Sequence, residues 1–194
     1  MREINSVCIY CASSKHIHKD YFEAADELAT ILVKNDIKVV FGGGAVGLMG
    51  QVADTVLRLG GQITGIMPDF MKQVELEHKG VESYLFVPGM HSRKKKFLEL
   101  SDALITMPGG CGTFEELMEA ITLKRLGIID KPIVILNTNG YYDPLIQMLE
   151  RSISEGFLND EHRKIWRVVE KPNQVLDAIK TAPHWDKTRA MDNI

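Results

Sequence analysis

Cysteine is scarce in this chain of 194 residues: Cys8, Cys11 and Cys111 are the full set. An odd number of thiols with no evident export signal argues against a disulfide framework and for a reducing compartment. Cys8 and Cys11 do form a C-x-x-C. They sit inside a run, residues 7–12, that reads as a buried strand, with no helix N-terminus beside them to activate a thiol. Small core residues are therefore the simpler reading than redox or zinc chemistry. Charge imbalance is also missing. With 23 basic and 26 acidic side chains the net charge is −3, which gives no footprint for a long nucleic acid, so any bound anion should be small and locally gripped. Long apolar runs are absent as well. The first nineteen residues interrupt a short apolar stretch with Arg2, Glu3, Lys15 and Lys19, too brief for a signal peptide or a membrane span, so a cytoplasmic protein without membrane contact is expected. Repeats and low-complexity segments are missing too, which sets aside solenoids.

What remains is the balance of a folded domain, 45% apolar and 25% charged. Short β-branched runs recur at residues 7–11, 38–41, 62–67, 84–87, 103–106 and 133–136, with a weaker one at 166–169. Helical patterns fill the gaps. Phe22, Ala25, Leu28, Ala29, Leu32 and Val33 share one face at three- and four-residue spacing. Phe114, Leu117, Met118 and Ile121 form a second such face, and 143–155 and 173–180 read as closing helices, with Pro172 in the first turn of the last. The alternation predicts an α/β fold: a Rossmann-like, doubly wound parallel sheet with helices on both faces. One domain is expected over residues 1–180, with a polar tail at 181–194 that frays or packs on a partner. Ligands in such folds bind outside the carboxyl ends of the strands.

Three turns there draw attention. Cys11-Ala12-Ser13-Ser14 offers free amides and hydroxyls, although a plain turn explains it equally well. Gly42-Gly43-Gly44-Ala45-Val46-Gly47 matches G-x-G-x-x-G, so Gly43 and Gly44 are candidate ligand contacts. A dinucleotide site is a poor fit, because this is the second βα turn and Asp69 lies outside the following strand. Packing of helix on sheet is the competing explanation.

The third turn, Met107-Pro108-Gly109-Gly110-Cys111-Gly112-Thr113-Phe114-Glu115-Glu116, carries most of the chemistry. Its glycines bare amides at a helix start, where the dipole favours a phosphate monoester and the Thr113 hydroxyl adds a hydrogen bond. Glu116 is placed on the first helical turn, where the dipole and a neighbouring cation are expected to keep it ionised. Thr113-x-x-Glu116 also fits a capping box, a purely structural role. The chemical alternative is a carboxylate that stabilises the cationic ribose ring, or orients water, as a nucleotide's glycosidic bond breaks. Met90-His91-Ser92-Arg93-Lys94 supplies a cationic partner, Arg93 above all, because its planar fork suits phosphate or carboxylate.

These motifs closely resemble the LOG ("lonely guy") family of cytokinin riboside 5′-monophosphate phosphoribohydrolases. The likeness runs from about Ser6 to Lys180. The P-G-G-x-G-T-x-x-E motif is complete from Pro108 to Glu116, M-H-x-R-K is matched by Met90, His91, Arg93 and Lys94, and the Gly-rich turn stands at 42–50. The resemblance implies Arg93 and Glu116 as the catalytic pair. It implies Arg93, Lys94, Gly109, Gly110, Cys111, Gly112, Thr113, Phe114 and Glu115 as nucleotide contacts, with Glu75 and Thr122 carried over on spacing alone. It further implies a homodimer and neither metal nor organic cofactor. Ser92 and the segment 69–81 depart from relatives, which bears on base preference. Sequences of this group are also labelled lysine decarboxylases, but no Schiff-base lysine constellation accompanies that label here. Hydrolysis of AMP and N6-modified AMP is the leading expectation. A nucleotide-binding sensor or carrier without catalysis is the alternative, and a dinucleotide oxidoreductase trails both.

Overall fold

The computed structural model describes residues 2–73 and 77–185. Seven strands are present there: β1 (Ser6–Tyr10), β2 (Lys38–Phe41), β3 (Ile63–Pro68), β4 (Ser83–Val87), β5 (Ala103–Thr106), β6 (Ile133–Leu136) and β7 (Trp166–Val169). They form one sheet in the order β4-β3-β2-β1-β5-β6-β7, parallel throughout. The intervening helices are α1 (Lys19–Lys34), α2 (Gly47–Arg58), α3 (Met90–Glu99), α4 (Cys111–Arg125), α5 (Asp143–Ser154) and α6 (Val175–Lys180).

Strand periodicity divides the core. In β1, Val7 and Ile9 point into a layer with Leu28 of α1, Val52 of α2 and Ile179 of α6. Cys8 and Tyr10 point the other way, toward Phe97 of α3, Leu117 of α4 and Leu149 of α5. The C-x-x-C is split by the same rule: Cys8 packs in one layer and Cys11 in the other. Both faces are covered, which is why the strands read as continuous apolar runs rather than alternating ones.

Two expectations need correcting. Of the face predicted on α4, Leu117 and Ile121 are buried, but Phe114 and Met118 are each 37% exposed. Buried Thr113 and Ala120 complete the inward stripe instead, because the start of the helix at Cys111 sets which residues meet the sheet. The tail also departs from fraying over its first five residues. Trp185 is only 6% exposed; its backbone N–H donates to Asp130 Oδ1 at 2.6 Å and its indole N–H to the Arg125 carbonyl at 3.3 Å. Burying an indole against its own domain outweighs the polarity of its neighbours. Residues 186–194 lie outside the described set.

The chain builds outward from β1 to β4, then returns to place β5 on the other side of β1. The connections leaving β1 and β5 therefore diverge, and this switch point opens a crevice at the carboxyl end of the sheet.

Candidate active site

The crevice is a cleft of about 630 Å³, large enough for a small organic ligand. The turn after β1 supplies Cys11, Ala12 and Ser13, and the turn after β2 supplies Gly42. Met49, Met71, Met90 and Phe97 make an apolar wall, and Gly110, Cys111, Gly112, Thr113 and Glu116 form the side belonging to α4.

The start of α4 is prepared for an anion. Gly110 is its N-cap and gives no side-chain hydrogen bond to the first turn, so the leading amides keep their donor capacity. The carbonyls just upstream are each held by a neighbour. Met107 O accepts from the Tyr142 hydroxyl at 2.8 Å, Pro108 O from the Ala12 amide at 3.1 Å and Gly109 O from the Tyr141 hydroxyl at 2.6 Å. With three successive acceptors engaged, the loop turns a donor-rich edge to the cleft. Gly109 has a steric role: a Cβ there would lie 2.2 Å from Thr113 Oγ1.

Thr113 and Glu116 are three residues apart on one helix and share a face, about 4.5 Å apart along the axis. Since α4 begins at Cys111, Thr113 is the third helical residue and Glu116 the sixth. That corrects the first-turn placement and removes the capping box, whose Thr would have to be the N-cap. The expected charge state changes as well. The half-buried Glu116 carboxyl is pushed up to about 7. Desolvation is the largest cause; Arg93 and Lys94 oppose it while Glu115 and Glu119 add to it. A carboxyl in that range exchanges a proton readily at neutral pH.

The shift has a consequence for stability. A folded-state value above the ordinary 4.5 means that the folded chain binds the extra proton between the two values, so stability falls as pH rises through that window. Glu116→Gln is expected to raise Tm by a few degrees at about pH 8.5 and to leave it unchanged at about pH 4. Thermal melts of both proteins across this range check it.

Arg93 sits opposite and is only 6% exposed. Its Nε donates to Ile66 O at 3.0 Å, its Nη2 to Gly42 O at 2.9 Å, and the guanidinium lies 5.3 Å over the Phe97 ring. A Cβ at Gly42 would come within 2.3 Å of Nη2, so that glycine makes room for the arginine. Nη1 reaches Met71 Sδ at 3.5 Å, a weak acceptor that a ligand oxygen can replace.

The other predicted contacts scatter. Gly43 (φ +88°) accepts from the Tyr84 hydroxyl at 2.7 Å, and a Cβ there would lie 2.9 Å from that ring. Gly44 bridges Glu77. Neither lines the cleft, because these glycines serve the approach of a neighbouring segment, the packing alternative weighed above. Lys94 also stays off the cleft lining. It is ion-paired with Glu115 and, at 3.1 Å, with Glu119. Phe114 stacks on Tyr141 with centroids 6.4 Å apart, and the exposed Thr122 donates to the Met118 carbonyl at 2.8 Å. Glu75 lies outside the described residues. The sequence reading missed Tyr141 and Tyr142, whose only local signal is an aromatic pair between Gly140 and a helix start. It also missed Tyr10, Met49, Met71 and Phe97. Among the described residues, no three His, Cys, Asp or Glu side chains are grouped to hold a metal ion.

Comparison with known proteins places the chain in a family. Residues 49–179 match a family described as "Possible lysine decarboxylase". A probable cytokinin riboside 5′-monophosphate phosphoribohydrolase of Oryza sativa subsp. japonica is 39% identical over 174 residues, covering 90% of this chain and 71% of its own. Another phosphoribohydrolase of that name, from Arabidopsis thaliana, is 40% identical over 176 residues, covering 90% and 82%. The chain belongs to the LOG family. Among solved structures, a molybdenum cofactor binding protein from Rippkaea orientalis superposes with a TM-score of 0.69 at 19% identity, covering 93% of this chain and 98% of that one. A structural-genomics target reaches 0.71 at 22% identity, covering 91% and 98%. At those identities the structural likeness speaks for the fold alone. Among the described residues, no lysine lines the cleft.

Proposed function

We propose that this LOG-family chain hydrolyses the N-glycosidic bond of adenosine 5′-monophosphates, releasing the free base and ribose 5-phosphate, with AMP and N6-modified AMP as its substrates. One observation carries the reading: an amide-rich helix start and a carboxyl poised near neutrality lie one turn apart on the same face of α4, across from a fixed guanidinium. The amides of residues 110–113 and the Thr113 hydroxyl hold the 5′-phosphate, and the apolar wall of Met49, Met71 and Met90 takes the base. That anchoring delivers the anomeric carbon to Glu116. As the bond from C1′ to the base nitrogen breaks, its electron pair leaves with the base and the ribose gains oxocarbenium character. Ionised Glu116 stabilises that charge, takes a proton from the water that attacks C1′ and gives it up to the departing base, so that the neutral base leaves and the carboxylate is regenerated. Arg93 steers the phosphate and ribose oxygens with its Nη1 edge.

A homodimer fits the exposure of Phe114 and Met118 beside the cleft. A cytoplasmic location fits the lack of any helix, among the described residues, long and apolar enough to cross a membrane.

The phosphate anchor is tested by comparing AMP with adenosine. Release of adenine from AMP is expected to exceed release from adenosine at least about 100-fold in kcat/KM, because the cradle's binding energy is lost with the phosphate. Chromatography of the freed base measures it. Equal turnover removes the anchor from the argument, and AMP bound but recovered intact turns the reading to a carrier or sensor.

A further inference from the structure

Lys94 is 8% exposed, yet the cleft does not reach it. It is ion-paired with Glu115 and Glu119, one helical turn apart on α4. Its neighbour in sequence, Arg93, faces the cleft, and so does the neighbour of Glu115, Glu116. Two adjacent pairs on two helices thus divide the work: one member of each faces the ligand space and the other faces its opposite number.

We propose that Lys94 is a positioning residue, which binds Glu115 and Glu119 in an ion triad, holds α3 against α4, and screens Glu116 from the two carboxylates that flank it. This rests on the hydrolytic reading above for its link to turnover, but the triad itself does not.

The charges around Glu116 are the part of its surroundings that Lys94 alters. Arg93 and Lys94 face it from α3, and Glu115 and Glu119 from α4 itself. Cys8 and Tyr10 of β1 and Tyr142 ahead of α5 are also coupled to it, but burial pushes all three upward, so they remain neutral near pH 7. On top of desolvation, the largest influence, two cations and two anions act on Glu116 in a half-buried site where charges weigh more than in water. Removing Lys94 leaves both flanking carboxylates uncompensated and frees α3 to shift, misplacing Arg93 against Glu116. A displacement of about 1 Å at a reacting pair costs up to about 10²-fold in rate.

The experiment uses full-length Lys94→Met, Lys94→Arg and the double variant Glu115→Gln with Glu119→Gln. The Glu116 carboxyl is followed by carbon NMR titration without nucleotide, assigned by comparison with Glu116→Gln, and turnover is measured with AMP. Lys94→Met is expected to move the titration to higher pH and to lower kcat about 10- to 100-fold, with KM changed less than about threefold. Lys94→Arg restores both. The double variant moves the titration to lower pH, since Lys94 then acts on Glu116 unopposed. If Lys94→Met does not fold, the double variant decides alone. A stationary titration overturns the proposal whatever the rates do, and a KM raised at least about tenfold at unchanged kcat assigns Lys94 to the nucleotide instead. If the wild-type protein leaves AMP intact, the hydrolytic reading fails while the titration still decides the role of Lys94.

Discussion

Replacing Glu116 by Gln is expected to lower kcat for AMP about 1,000-fold in a protein that remains folded. The substitution keeps the size and hydrogen-bonding shape of the side chain and removes its capacity to carry charge or accept a proton. Its place on α4 makes the test clean. The residue is half-buried at a cleft, with no cap to lose, because the helix begins five residues earlier at Cys111. The same argument sets the pH dependence of the wild-type enzyme. Ionised Glu116 is the working form, so kcat should rise with pH and level off above about 7. The second ionisation of the substrate phosphate, at about 6, lies lower. Steady-state kinetics over this range, with folding checked by circular dichroism, supply the measurement. A folded Glu116→Gln protein with more than about a tenth of wild-type activity would remove the carboxylate from the mechanism.

Arg93→Ala should be nearly as damaging, for two separable reasons. Losing the guanidinium opposite the cradle is expected to cost about 10²–10³ in kcat/KM, the scale on which a fixed electrostatic partner of the transition state counts. The second reason is structural. Arg93 is buried and donates to the carbonyls of Ile66 and Gly42. Each stranded carbonyl costs about 1–3 kcal/mol, so a loss of about 2–6 kcal/mol and a fall in Tm of about 4–24 °C should accompany the loss of activity. Arg93→Lys keeps the charge but cannot serve both carbonyls and the cleft at once, so it should recover stability in part and activity very little. Calorimetry beside kinetics separates the two effects. A folded Arg93→Ala protein with unchanged kcat/KM would contradict the site.

How far the site was legible depended on whether its parts are local. The cradle was legible because glycines, a threonine and a helix start are neighbours in the chain: Gly110, Cys111, Gly112 and Thr113 line the cleft as their order suggests. Arg93 and Glu116, each drawn from a short motif, both line the cleft. Gly43 and Gly44 misled, since a glycine that admits a phosphate and one that admits Tyr84 look alike in sequence. Tyr141 and Tyr142 could not be read at all, because their hydroxyls act on carbonyls more than thirty residues away.

The order of apolar runs and helical patterns determined the sheet. Strands β2, β5, β6 and β7 fall on the predicted residues, β1 and β3 are shifted by one residue, and β4 starts one residue earlier. Burial on both faces writes itself into consecutive side chains, and short-range periodicity is what a linear chain displays. Only the tertiary structure decided that partial desolvation pushes the Glu116 carboxyl up to about 7, that Arg93 is a buried strut as well as a charge, and that Lys94 turns from the cleft to α4. Each of these depends on which groups from distant segments surround an ionisable side chain, and desolvation and Coulomb terms follow distance in space rather than separation along the chain.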